Sequence, residues 1–433
     1  MKMNILWAIL AMLLAFPMAI AGEASPNYED NDKAAQNSSA TADRVFDFPQ
    51  DHVLHQPEEI VKKSQLFSEW LYWTGILHDT ETGDMYGFQY TLFHMDLTPG
   101  SMGFINHAAI SDVRNSQHSF YGYSILPDQA NIINIKNVTK ATNATNGEDS
   151  GKGSYWRCED NQTTLTYWMD LDAWNIQSQG NASLNGGEDQ KISLDLYLIN
   201  DGADYYLQTP TGINNQGLCF GSKSGSEDMA GRSYYYSHPA MNTTGTLTIG
   251  ARRINVSGYS WFDHQWGGFR QCYPAWDWFS LRLDDGGFIM LYDLKDLSMK
   301  SILSQRGLTY IDPEGKVTWW HGGNAANLTV KRWWTADSSS SKYPVDWVLD
   351  TPVGTFALEP YFDDQNMNIP DSPIKYWEGL MRVRAGDLKG EQIGTGYVEM
   401  TGYEPIADLM RYYASELDSS NLFPFPSTAR QIS

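Results

Sequence analysis

Hydrophobic and polar residues alternate in short runs along most of the chain. Residues 70–77 and 85–95 read as two strands joined by a Thr-Glu-Thr-Gly-Asp turn, because side chains two apart share a face of a strand. Similar runs predict strands at 104–111, 165–171, 192–199, 205–208 and 246–249. After Arg253 the pattern restarts, with 305–311 and 316–320 flanking Asp-Pro-Glu-Gly, a strong turn sequence. Runs at 328–334, 345–349 and 355–358 follow, and 376–384 with 394–401 make a final hairpin. Only 406–417, entered after Pro405, has the character of a helix. The polar stretches 137–153 and 221–231 read as loops. Strands at this spacing predict an all-β protein built of sandwiches or barrels. Similar Tyr-Trp and Trp-Asp-Trp openings at 72–75, 276–278 and 376–379 suggest two related halves. A split near 249–254 gives β domains over 46–250 and 251–433.

The most informative alternation lies at 275–294. A two-residue loop at Asp285-Gly286 sets Leu283 opposite Phe288, Leu281 opposite Met290, Phe279 opposite Tyr292 and Asp277 opposite Leu294. Asp277 is then the single carboxylate on an aromatic and aliphatic wall. A carboxyl so desolvated favours its neutral, proton-donating form; the competing reading is an Asp paired to Arg270, Arg282 or a backbone N–H. Asp293 falls on the opposite face near Arg282, where a salt bridge is the easier explanation. A one-residue change in the loop exchanges which acid faces which wall.

Composition narrows the setting. Hydrophobic residues make up 42% and aromatics 13% of the 433 residues, which suits an aromatic-rich β protein. A formal charge of -22 with no basic stripe argues against nucleic-acid partners. Lys2 precedes an apolar run over 5–20 that ends in Ala19-Ile20-Ala21, the pattern of a signal peptide cleaved after Ala21. An uncleaved anchor is the alternative. Residues 22–45 read as a disordered leader. No later stretch is apolar enough to span a membrane, so an extracytoplasmic chain without a transmembrane segment is expected. Sequons at Asn37, Asn137, Asn143, Asn161, Asn181, Asn242, Asn255 and Asn327 mark surface loops if they carry glycans. Cys158, Cys219 and Cys272 leave one cysteine over however they pair, and no Cys-x-x-Cys is present.

Candidate chemistry is sparse elsewhere. Asp263-His264-Gln265-Trp266 ends a strand before two glycines; His264 is either a proton shuttle or a turn histidine bonded locally. His52 and His55 form a His-x-x-His that reads as a chance pair. Metal-ligand spacing, a serine-hydrolase elbow and a dinucleotide fingerprint are all absent from the sequence, so neither metal nor cofactor is expected.

Several segments together resemble the lipocalin-like carotenoid 1,2-hydratase family, also called the hydroxyneurosporene synthase or AttH-like group. They are Glu69-Trp70-Leu71-Tyr72-Trp73-Thr74-Gly75, Gly87-Phe88-Gln89-Tyr90, Asn106-His107-Ala108-Ala109, Trp261-Phe262-Asp263-His264-Gln265-Trp266-Gly267 and Trp276-Asp277-Trp278-Phe279. Leu291-Tyr292-Asp293, Tyr376-Trp377-Glu378-Gly379 and 396–403 complete the series in chain order. The resemblance implies two consecutive lipocalin-like β-barrels around an apolar ligand cavity. It also implies a catalytic Asp with His, Trp and Tyr, matched in type by His264, Trp266, Tyr292 and Asp293, with Asp263 and Asp277 as rival acids. On this reading an Asp protonates an alkene of an isoprenoid substrate and His264 takes a proton from water. Trp73, Trp266, Trp276, Trp278 and Phe279 would line the substrate. The alternative is a carrier that buries an isoprenoid or lipid without converting it.

Overall fold

The computed structural model describes residues 46–61, 67–98, 101–125, 131–138, 153–182, 190–215, 232–268, 275–296, 298–337, 340–369 and 375–404. The apolar leader, the run at 406–417, Cys219, Cys272 and the 221–231 loop lie outside them.

Besides two 3-10 turns, Gln50–His52 and Gly322–Asn324, and one turn of helix, Pro57–Ile60, the regular elements of the described chain are strands. The first thirteen strands are β1 (Ser68–Asp79), β2 (Met85–Thr98), β3 (Ser101–Asp112), β4 (Gln117–Ile125), β5 (Asn131–Val138), β6 (Gly153–Glu159), β7 (Thr163–Trp168), β8 (Ala173–Ala182), β9 (Gln190–Ile199), β10 (Tyr206–Leu207), β11 (Ile213–Asn215), β12 (Arg232–Ile249) and β13 (Arg252–Gly267). They form one sheet in the order β4-β3-β2-β1-β13-β12-β9-β8-β7-β6-β5, with β10 and β11 also on β12. The sheet curls until β4 meets β8. There the Tyr121 hydroxyl lies 2.6 Å from Ser178 Oγ, and a Cβ on Gly180 would sit 2.5 Å from the Tyr121 ring.

The remaining strands are β14 (Ala275–Leu283), β15 (Phe288–Lys295), β16 (Ser301–Ile311), β17 (Val317–His321), β18 (Asn327–Thr335), β19 (Lys342–Thr351), β20 (Gly354–Pro360), β21 (Asn366–Met367), β22 (Tyr376–Ala385) and β23 (Gln392–Thr401). Their order is β17-β16-β15-β14-β23-β22-β20-β19-β18, with β21 on β22. All pairings in both sheets are antiparallel, the topology of two consecutive lipocalin-like barrels. The chain crosses from one sheet to the other between Gly267 and Ala275. The divide near residue 250 instead falls in the turn joining β12 to β13, which are neighbours in the first sheet. Both sheets belong to one compact unit, Asp47–Ser433.

Each sheet buries one face on itself. In the first, Trp73 stacks on Phe262 at 4.7 Å and meets Trp174 edge-on at 5.0 Å. In the second, Phe279, Leu281, Leu291, Trp347, Trp377 and Val398 form a separate core. Period-2 alternation then turns the intervening residues of β1, β13, β14, β15, β22 and β23 toward the opposite sheet. Tyr72, Tyr235 and Trp261 of the first sheet pack there with Trp278 and Met290 of the second. Ala109 and Phe120 meet Met367, Ile369 and Tyr376 alongside.

Candidate active site

The 275–294 hairpin is in a register one residue away from the expected one. Leu283 and Gly287 close a three-residue loop, with the Gly287 carbonyl accepting from the Leu283 amide at 2.8 Å and Gly286 at φ +95°. Arg282 therefore faces Phe288, Trp278 faces Tyr292 and Asp277 faces Asp293. The glycine that follows two Asp residues takes the left-handed conformation, and this lengthens the loop by one.

That shift puts Asp277 and Asp293 side by side inside the second sheet, on the face that carries Phe279. Lys295 bridges them, its Nζ 2.7 Å from Asp277 Oδ2 and 3.0 Å from Asp293 Oδ2. Arg306 Nε donates to Asp293 Oδ1 at 2.8 Å, and the Tyr403 hydroxyl donates to Asp277 Oδ1 at 2.7 Å. Burial pushes Asp277 upward while Lys295 opposes it; Asp293 is held below its ordinary range because Lys295, Arg306 and Ser301 outweigh its desolvation. The expectation that Asp277 stands alone on an apolar wall is corrected: two acids and two cations share a closed ionic cluster.

The adjacent face carries different acids. Asp263 on β13 is 3% exposed and has no cation against it among the described residues. Its Oδ1 accepts from Trp261 Nε1 at 2.6 Å and from the Ser237 hydroxyl, and its Oδ2 accepts from the Tyr235 hydroxyl at 2.7 Å. Desolvation raises it to about 7 against those three donors. Glu378 and Glu399 are direct cross-strand neighbours on β22 and β23. Glu378 is fully buried; its Oε1 accepts from the Tyr72 hydroxyl at 2.7 Å, and its Oε2 has no hydrogen-bond partner among the described residues. Burial, reinforced by Glu399, holds Glu378 well above the usual carboxyl range. Glu399 is half-buried, accepts from Trp276 Nε1 at 2.8 Å and is pushed up to about 7 by desolvation. Three carboxyl groups thus share one region with no countercharge among the described residues, an arrangement that keeps at least one neutral.

Aromatic rings enclose these acids. Trp278 packs edge-on against Tyr72 at 5.3 Å and Trp261 at 6.1 Å, and its Nε1 donates to the Tyr235 hydroxyl at 3.0 Å. Trp70, Trp276, Phe288 and Tyr292 are half-buried at the margin, so the patch reaches from the interior to the surface.

Of the residues singled out in the sequence, Asp263, Trp276, Trp278 and Tyr292 come together on this face. Asp277, Asp293 and Phe279 point to the other side of their sheet. His264 and Trp266, although adjacent to Asp263 and Gln265, alternate into the first sheet's interior together with Trp73. There His264 Nε2 lies 2.9 Å from Glu69 Oε1, and burial lowers its pKa. Sequence reasoning missed Tyr72, Tyr235, Trp261, Glu378 and Glu399 as site residues. The signal that singled out Asp277, an acid in phase with apolar neighbours, was equally present at Glu378 between Tyr376 and Leu380.

Two antiparallel barrels joined across an acidic, aromatic face define a lipocalin-like double-barrel protein. The AttH-like family profile matches residues 39–403, and the chain belongs to that family. Among solved structures it is similar to a protein from Nitrosomonas europaea described as an AttH, at 22% identity and TM-score 0.64, over 83% of this chain and 98% of that one. It is also similar to kievitone hydratase from Nectria haematococca, at 16% identity and TM-score 0.51, over 76% and 88% of the two chains. No curated protein sequence matches. Among the described residues no helix is long and apolar enough to cross a membrane.

Proposed function

We propose that the protein is a hydratase that adds water to a carbon–carbon double bond of an apolar, isoprenoid-type substrate held between the two sheets. The observation that carries this reading is the buried Glu378 Oε2, which has no hydrogen-bond partner among the described residues, on a carboxyl group that favours its protonated form. Glu378 gives that proton to the less substituted alkene carbon, and the π electrons form the new C–H bond. The cation left on the more substituted carbon faces Trp278, Trp261 and Tyr72, whose rings contribute about 0.5–2 kcal/mol each. Water attacks the cation, the C–O bond forms, and Glu399 takes the released proton. Glu399 and Glu378 are opposite one another on β22 and β23, so the proton returns to Glu378 over one cross-strand step. Alkene and water give a tertiary alcohol, with no net change at the protein.

The family and the resemblance in fold to a hydratase support this assignment, and they leave the substrate to experiment. Asp263 replaces Asp277 and Asp293 as the relevant aspartate, because Lys295 and Arg306 hold the latter pair. Its three donors work against the desolvation that raises it to about 7, and they tie it to Tyr235, Trp261 and Ser237. The test is incubation with a panel of prenylated and linear isoprenoid alkenes in oxygen-18 water, read by mass spectrometry. Incorporation of labelled oxygen by wild type and its loss in Glu378→Gln are expected. Tight retention of an intact alkene with no labelled product from wild type would replace the hydratase by a carrier.

A further inference from the structure

On the opposite face of β1 and β13 lies a second cluster of ionisable groups that the hydration chemistry does not use. Glu69 on β1 is fully buried, and three imidazoles converge on its carboxylate. His55 Nδ1 is 2.6 Å and His264 Nε2 2.9 Å from Glu69 Oε1, while His94 Nδ1 is 3.0 Å from Oε2. One donor atom each from His55, Glu69 and His264 lie within 4.8 Å of one another. The far nitrogens of both histidines are also engaged. His55 Nε2 is 3.1 Å from Asp51 Oδ1, and His264 Nδ1 is 2.9 Å from the Asp51 carbonyl oxygen.

This pattern calls for a positive charge among the buried groups. His55 faces carboxylate oxygens at both ring nitrogens, whereas His264 faces a carboxylate at Nε2 and, at Nδ1, both the Asp51 carbonyl and the Tyr236 hydroxyl at 3.2 Å. A neutral imidazole has a single N–H, so hydrogen bonding at both ends of His55 requires an imidazolium, 5.4 Å from the His264 ring in a buried setting. If the inner nitrogens instead bind a cation through their lone pairs, each outer N–H donates to Asp51 and every contact is satisfied. A carboxylate or carbonyl behind a ligating histidine is the usual support of a metal centre. Two neutral histidines, Glu69 and Asp51 also balance a divalent ion.

We propose that His55, Glu69 and His264 hold one divalent transition-metal ion of the zinc type, which ties the segment carrying Asp51 and His55 to β1 and β13. Nitrogen and oxygen donors of this number suit Zn²⁺ and its first-row neighbours. Its enclosure, and its place across the strands from Asp263, make it a structural ion rather than a participant at the carboxyl face.

The test is elemental analysis of the full chain, isolated without a metal-affinity step. About one ion per chain is expected. Chelation should lower the melting temperature, added Zn²⁺ should restore it, and Co²⁺ should give the d–d absorption of a nitrogen- and oxygen-liganded centre. His55→Phe and Glu69→Gln should each lose the ion; if either fails to fold, chelation and refilling of wild type carries the test. A metal-free wild type that takes up neither Zn²⁺ nor Co²⁺ and melts unchanged overturns the proposal. Full metal content in both variants places any ion elsewhere and overturns it equally. None of these readouts depends on hydratase turnover.

Discussion

Two groups of acids lie on either side of the second sheet, one inside it and one where β22 and β23 meet Asp263 of the first sheet, and they differ in one respect. Asp277 and Asp293 are closed in by Lys295, Arg306 and Tyr403. Glu378, Glu399 and Asp263 have hydroxyl and indole donors but, among the described residues, no cation. Burial is common to both, so burial alone does not make a proton donor. What separates a structural carboxylate from a chemical one here is whether a lysine or arginine shares its enclosure.

The comparison breaks most directly at Glu378. Glu378→Gln keeps the Tyr72 contact and removes the proton, and turnover should fall by roughly 10²–10⁴, as expected for loss of a general acid. Steady-state rates on the alkene identified by oxygen-18 labelling check this.

In the ionic cluster the effect should appear as stability instead. Asp277→Asn leaves Lys295 with one carboxylate and should cost about 3 kcal/mol in urea unfolding. Turnover per folded molecule should stay near wild type, and a loss matching that of Glu378→Gln would erase the distinction between the two faces.

Titration sharpens the contrast. Asp263 rises from 3.8 to about 7 on folding, so the folded state holds its proton more tightly. Its stabilisation is complete below about pH 4 and is lost as pH rises through about 7. Melting temperature should decline over that window, and Asp263→Asn should flatten the decline. Turnover should move in the opposite sense, falling as pH drops through about 7 and Glu399 gains the proton that disables it as a base. A smaller effect is expected at Trp278, where Trp278→Leu removes one ring from the cation's surroundings and should slow turnover about tenfold.

Much of the fold was legible from alternation. The predicted strand at 70–77 lies within Ser68–Asp79 and that at 376–384 within Tyr376–Ala385. Period 2 is a property of the local chain and needs no partner to be read. Register is different, because it was set by the backbone of Gly286, and a shift of one residue changed the cross-strand neighbours of Asp277 from Leu294 and Tyr292 to Asp293 and Lys295. The same alternation that places Asp263 on the site turns His264 away from it, so their adjacency in sequence misled. Glu378 and Glu399 were quoted in a recognisable pattern without a role, because only the docking of two sheets shows which strand faces remain to meet each other.

The account rests on Glu378 keeping its proton in the folded protein. An infrared difference spectrum between wild type and Glu378→Gln at neutral pH measures this without any substrate. A protonated carboxyl C=O stretch present in wild type and missing from the variant is the predicted result. A carboxylate band lost in its place would show Glu378 ionised and contradict the assignment.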